Sequence, residues 1–258
     1  MSTDMSRHVM LFRTATRFAL VEHARNRFAM LLVVLFVPAW ITVVHLVVAT
    51  APIGFRLKAT GIVLRPGADQ LMQVTGALNA ITMIAGFLMF ASTFTAGPFD
   101  RRLNMAGYPL RHLVLAKLTT LVVASAALAV YATALLACFW VPQRPLVLVA
   151  AMFCDTLTYG AFGVALGALL RREVEGMFVI AMISTTDLIL QNPVYSAGAD
   201  SSFLRLLPSY GAVQASTAAA FSGAALPAYL ALQLAWFVAA ALIDLLAFRR
   251  GASLVSGR

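Results

Sequence analysis

The sequence predicts an all-α membrane protein. It has six transmembrane helices, an N-terminal interfacial (elbow) helix, and short re-entrant or external helices between spans five and six. Three observations predict this. Hydrophobic residues make up 61% of the 258 residues and charged residues only 11%, a usage far outside that of soluble domains. The apolar residues fall in six blocks, near Phe28–Thr50, Leu71–Thr95, Leu113–Val141, Leu146–Leu170, Val174–Leu190 and Leu226–Phe248. Most of these reach the ~20 residues that cross a ~30 Å hydrocarbon core as helix. Strand-type alternation is absent, and a β-barrel needs many more, shorter segments. Six helices use up the chain, leaving no room for a soluble catalytic or ATP-binding domain of ordinary size. Residues 1–258 therefore read as one transmembrane domain.

The first element, residues 1–27, is more than a tail. Leu11, Phe12, Ala15, Phe18 and Ala19 fall on one helical face, with Arg13 and Arg17 opposite. Such a helix lies along the membrane surface with its apolar side in the acyl boundary. The pattern blurs after Leu20, where Glu22, His23, Arg25 and Asn26 predict a bend into span one, residues 28–50. Ala49-Thr50-Ala51 resembles a cleavage site, but the block before it is too long for a signal peptide and Pro52 would follow the cut. His45 in span one reads as an interfacial histidine, since one imidazole is no metal ligand set.

Span two covers residues 71–97, and Gly97-Pro98 is expected to end it. Between that pair and Gly107-Tyr108-Pro109 there is room for two helical turns. Asp100 suits the first of them, and Phe99 and Leu103, four apart, share a face. An exposed cytoplasmic helix with an apolar spot and flanking Arg101 and Arg102 would make a docking element; an ordinary basic loop is the alternative. Spans three and four cover residues 111–140 and 146–170, joined by a short outer loop. Gly160, Gly163 and Gly167 form a small face on span four, suited to close helix packing or a dimer contact. Cys138 and Cys154 lie at different depths, so no disulfide is expected, and two thiols at that spacing form no metal motif.

A tight turn, Leu170-Arg171-Arg172-Glu173, leads to span five, residues 174–193. Residues 194–225 then form an external helical hairpin. Its piece Ala212–Phe221 is apolar but too short to span, which reads as interfacial or re-entrant. Span six covers residues 226–248.

Three acids fall inside spans: Asp155 in span four, Asp187 in span five and Asp244 near the end of span six. A central carboxylate costs at least ~2.5–3.5 kcal/mol on insertion scales, so each should face the bundle or a cavity. Asp155 and Asp187, with Gln191 and Asn192 nearby, are candidates either for a pathway or for hydrogen-bonded structural joints between helices. Asp244 reads as structural, with Arg249 near enough to pair.

The charges set the orientation. With the N-terminus in the cytoplasm, 14 of the 19 Lys and Arg residues fall inside and 5 outside, so both termini are expected in the cytoplasm. This bias and anionic lipid account for the net charge of +9. The basic residues form no long run, so no nucleic acid is implied. No G-x-x-x-x-G-K-[ST] loop is present, nor H-E-x-x-H, and no Ser/His/Asp set suggests itself.

These features together resemble ABC-2-type permeases, the membrane subunits of a group of ATP-driven exporters. The resemblance rests on the Arg-bearing surface helix running into a span with Pro38 and on Asp100-Arg101-Arg102 followed by Gly107, Pro109 and Lys117. It rests also on the Arg171-Arg172-Glu173 turn and on the broken stretch before the last span. The family's usual Gly-Thr pair is missing from the loop here, and the loop is shorter. The resemblance implies that Phe99, Asp100, Arg101, Arg102 and Leu103 form a coupling helix seated in a separate cytoplasmic ATPase subunit. Arg171, Arg172 and Glu173 would form a second contact. It implies a dimer with itself or a paralogous permease, and no cofactor in this chain, ATP and Mg being held by the partner. It places the chain in the plasma (inner) membrane. A stand-alone carrier, or a lipid-modifying enzyme using Asp155 and Asp187, is the alternative.

Overall fold

The computed structural model describes residues 2–170, 172–195 and 202–256. Side chains are described for these except residues 2–7, 28, 98, 100, 101, 104, 110, 111 and 246–256. The chain is overwhelmingly helical. Helix α1 (Ser2–Arg25) is followed by α2 (Arg27–Leu31), a π-helical turn (Leu32–Phe36) and α3 (Val37–Val47). Asn26 breaks α1 from α2 and caps the new helix, its side-chain oxygen accepting from the Ala29 N–H at 3.1 Å. The π turn stands just before Pro38, which has no N–H to give the turn behind it. A hairpin of two-residue strands follows, β1 (Phe55–Arg56) and β2 (Val63–Leu64), closed through Gly61 at φ +70°. Then come α4 (Ala68–Met105), α5 (Leu110–Ala137), α6 (Pro145–Leu169), α7 (Glu173–Gln191), a 3₁₀ turn (Ser202–Leu206), α8 (Tyr210–Phe221) and α9 (Pro227–Ser256).

Five helices are long and apolar enough to cross a membrane: Ala29–Val47, Ala68–Gly97, His112–Ala137, Pro145–Leu169 and Pro227–Leu245. Helix α7 is not among them; it carries Glu173, Glu175 and Asp187 in 19 residues. Large apolar side chains are exposed along α3, α5, α7 and α9, Leu46, Val122, Phe178 and Val238 among them. A bundle apolar on its outside as well as in its core fits a hydrocarbon solvent and not water.

The direction of each helix is fixed by its contacts. His45 and Ile41 of α3 meet Asp69 and Gln73 of α4, so these two run antiparallel. Helices α4 and α6 run parallel: a Cβ on Gly163 would strike the backbone of Gly86, and one on Gly167 would lie 2.8 Å from the Phe90 carbonyl. The glycines of α6 thus serve close approach within the bundle. Helix α7 descends α4 antiparallel, with Gly176 against Phe90, Ile180 against Gly86 and Ser184 bonded to Thr82. Helix α5 opposes α6 through Leu121–Gly160 and Thr133–Met152. Helix α9 follows α6, with Gln233 at Asp155 and Ala240 among Leu157, Ala161 and Val164. Successive long helices therefore alternate in direction.

One expectation is corrected. Gly97-Pro98 does not end a helix: α4 runs through it to Met105. The helix stops at Gly107, φ +87°, where the Tyr108 N–H reaches back to the Leu103 carbonyl at 3.0 Å, a Schellman closure. The expected coupling helix is thus the last turns of α4. The stretch before the last helix, expected as short re-entrant or external helices, forms α8. Helix α8 is buried along nearly its whole length, packed against α6 and α9. Its C-terminal carbonyls Ala219 and Ala220 accept the Arg144 and Gln143 N–H groups of the α5–α6 connection. After α3, the β-hairpin seats Leu57 and Leu64 on Ala218 of α8. Cys138 and Cys154 are both free thiols.

Candidate functional site

The bundle's centre holds a polar core built from α4, α6, α7, α8 and α9. Asp187 stands on the inner face of α7, one turn before Gln191. Its Oδ1 accepts from Gln191 Nε2 at 2.6 Å. Its Oδ2 accepts from the Tyr159 hydroxyl at 2.6 Å and from the Ser209 N–H at 2.9 Å. Asp155 lies one turn before Tyr159 on α6, so the two share a face. It is fully buried, and its Oδ1 accepts from Gln233 Nε2 of α9 at 3.1 Å. The same amide nitrogen donates to Thr158 Oγ1 at 3.0 Å, and Gln233 Oε1 accepts the Ala212 N–H of α8 at 3.1 Å. Tyr159 thus joins the face of α6 that carries Asp155 to Asp187 of α7. The hydrogen-bond partners named for both carboxylates are neutral donors. Asp155 Oδ2, Ser209 Oγ and Gln191 Oε1 are buried with no hydrogen-bond partner among the described residues.

A second set of polar contacts runs along α4 and α7. The Ser184 hydroxyl donates to Asn79 Oδ1 and shares a hydrogen bond with the Thr82 hydroxyl, both at 2.9 Å. Asn192 Nδ2 donates to Thr75 Oγ1 at 2.8 Å where α7 ends. The structure thus brings Asp155, Asp187 and Gln191 into one cluster and puts Asn192 beside it. Tyr159, Ser209 and Gln233 complete the cluster and were not singled out from the sequence. A signal existed: Tyr159 stands four residues from Asp155, and Gln233 is a polar residue inside an apolar block. Asp244 is buried on α9 with Oδ1 unpartnered among described atoms; the Arg249 side chain expected to pair with it lies outside the described ones. Among the described residues, no three His, Cys, Asp or Glu side chains converge to hold a metal.

The other candidate residues gather at one end of the bundle, where α4 and α6 both finish. Phe99 is exposed and Leu103 half-buried. Both face α1 across a cavity, so the apolar spot on this segment is turned partly inward. Arg102 is exposed; the side chains of Asp100 and Arg101 lie outside the described ones. This end is tied to α1. The Tyr108 hydroxyl donates to the Leu11 carbonyl at 2.7 Å, and His8 stacks on His112 with centroids 5.2 Å apart. At the neighbouring α6–α7 turn, Arg172 and Glu173 are exposed, and Arg172 pairs with Glu175 at 3.4 Å; Arg171 lies outside the described residues. No protein-family model matches this sequence, and no curated protein is similar to it.

Proposed function

We propose that the chain is the transmembrane permease subunit of an ABC-2-type transporter in the plasma (inner) membrane. Six spans leave both termini in the cytoplasm, with α1 as the elbow helix and α8 re-entering from the outer side. Two copies, or one copy and a paralogous permease, enclose the pathway. Separate cytoplasmic ATPase subunits bind ATP and Mg and drive export of an amphipathic drug-like or lipid-like substrate. The observation that supports this is the exposed, Arg-bearing end of α4, tied by Tyr108 to α1 and continuing into α5. A push on residues Phe99–Leu103 from below would be passed to the first three spans at once. Arg172 and Glu173 at the adjacent turn give the motor a second contact.

Gentle detergent purification of the tagged chain tests this. A co-purifying subunit with a P-loop sequence and ATPase activity is expected. In Arg101→Ala with Arg102→Ala, transport and ATPase stimulation should fall while the chain still inserts. Full transport in that double variant removes the coupling assignment.

The buried Asp155–Asp187 cluster favours a second reading. Carboxylates held by neutral donors inside a bundle suit a cation or proton path in a stand-alone carrier, or the acids of a lipid-modifying enzyme. Transport by the purified chain alone, without ATP, would select the carrier over the permease.

A further inference from the structure

A cavity of about 680 Å³ lies between α1, α4 and the start of α5. Small side chains hold it open: Ala15 and Ala19 on α1, Ala91 on α4 and Ala116 on α5. Phe18, Leu88, Phe99 and Leu103 supply larger apolar wall. The space is framed by fixed points. The Tyr108–Leu11 hydrogen bond closes one end, and Asn26, capping α2, fixes the other. It is therefore part of the fold and not a gap left by a loose helix.

Two further properties define what would fill it. Along α4 the wall runs from Leu88 to Leu103, about 22 Å of helix at 1.5 Å per residue. That equals about half of the ~40–45 Å bilayer, one leaflet with its headgroup layer. The charged groups on the wall are Glu22, Arg25 and Lys117, with His23 beside them, an excess of positive charge. The interior is greasy along a leaflet's depth, and its rim favours an anion.

We infer that this cavity binds one anionic glycerophospholipid, its acyl chain along Leu88, Ala91 and Phe99 and its phosphate at Arg25 and Lys117. The inference depends on the chain lying in a membrane and not on an ATPase partner. A lipid there completes the packing between α1 and the last turns of α4. It would stiffen the segment on which Phe99 and Leu103 stand.

The full-length chain is stripped of lipid in detergent and titrated with phosphatidylglycerol or phosphatidylcholine in mixed micelles. Bound molecules are counted by native mass spectrometry. One phosphatidylglycerol is expected to stay bound, preferred over phosphatidylcholine by about fivefold, as the single net positive charge of Arg25 and Lys117 against Glu22 would give. Ala15→Trp fills the cavity from the peripheral helix and should abolish that binding with the melting profile kept. Arg25→Glu, on an exposed side chain, should erase the headgroup preference without filling the cavity, which decides the matter if Ala15→Trp misfolds. Equal retention of both lipids by the wild type overturns the inference. So does unchanged binding in the two variants, or displacement of the phospholipid by equimolar free fatty acid.

Discussion

At the scale of single residues, Asp187 and His23 carry the sharpest consequences. Asp187 accepts three hydrogen bonds, from Gln191, Tyr159 and the Ser209 backbone. Asp187→Asn can keep all three. The amide oxygen takes the position facing Tyr159 and Ser209, and Gln191 turns its unpartnered Oε1 toward the new NH₂, giving up the 3.2 Å bond from its Nε2 to the backbone carbonyl of residue 187. Replacing the carboxyl while its buried donors stay paired avoids the cost of stranding them. Asp187→Ala instead strands buried donors, at about 1–3 kcal/mol for each group left unsatisfied. Melting of the detergent-solubilised chain should therefore hold in Asp187→Asn and fall clearly in Asp187→Ala. If Asp187→Asn is stable but inactive, the carboxylate serves the pathway. If it is stable and active, the group is a structural joint.

His23 offers a test by pH. Burial holds its imidazole below the ordinary value of 6.5; its Nδ1–H bond to the Ala19 carbonyl opposes this, and the charge of Lys117 adds to it. A histidine harder to protonate when folded leaves more protons on the unfolded chain, so stability rises with pH across that interval. Its contribution is complete above pH 6.5 and is lost as the pH falls toward the folded value. The melting temperature of the wild type should drop between pH 7.5 and 5.5 more than that of His23→Gln. Parallel profiles for the two would remove this assignment.

At the scale of elements, the parallel contact of α4 with α6 is the bundle's seam. Gly163 meets the Gly86 backbone, which cannot move aside as a side-chain tip can. Gly163→Val should cost at least the ~1–3 kcal/mol of overpacking, seen as lower yield and a lower melting point. Gly97 lies inside α4, and a methyl group added to it would meet nothing within 4 Å. Gly97→Ala should therefore be neutral or stabilising, by up to ~1 kcal/mol of helix propensity. Equal damage from both substitutions would mean that the seam is not where α4 and α6 are held.

The same elements show what was legible in the sequence. Helix type and approximate limits were, because a lipid-facing helix must be apolar over a set length. Asp155 and Asp187 stood out because ionisable groups inside such blocks are costly. Their shared cluster did not, since it depends on α8 and α9 arriving beside α6, and no local pattern records that. Gly97-Pro98 misled because Pro98 removes a single N–H, and α4 tolerates the loss until the Schellman turn at Gly107. The hairpin at Phe55–Leu64 escaped notice because its two-residue strands are too short to show alternation; α8, not strand pairing, holds it in place.

For the whole molecule, the number of crossings is the deciding question, and it turns on α7. Five helices have the apolar length to span. Helix α7 carries three acids, yet it runs antiparallel to α4 over most of its length, with Asp187 satisfied inside the bundle and Phe178 and Met182 exposed outside it. The proposed six crossings have α7 cross with these neighbours, its acids either sheltered, as Asp187 is, or at the end, as Glu173 and Glu175 are. Six crossings put Lys58 and Ala225 outside and Asn104 in the cytoplasm. Five crossings, with α7 left on the cytoplasmic side, would keep Lys58 outside but bring Ala225 inside. Single cysteines at these positions, in a chain with Cys138→Ser and Cys154→Ala, can be probed on intact cells with a membrane-impermeant maleimide. Ala225 lies in an exposed connection between α8 and α9, so the reagent can reach it. Labelling at 58 and 225 but not at 104 is expected. Labelling at 58 alone would leave α7 uncrossed, and labelling at 104 alone would invert the protein.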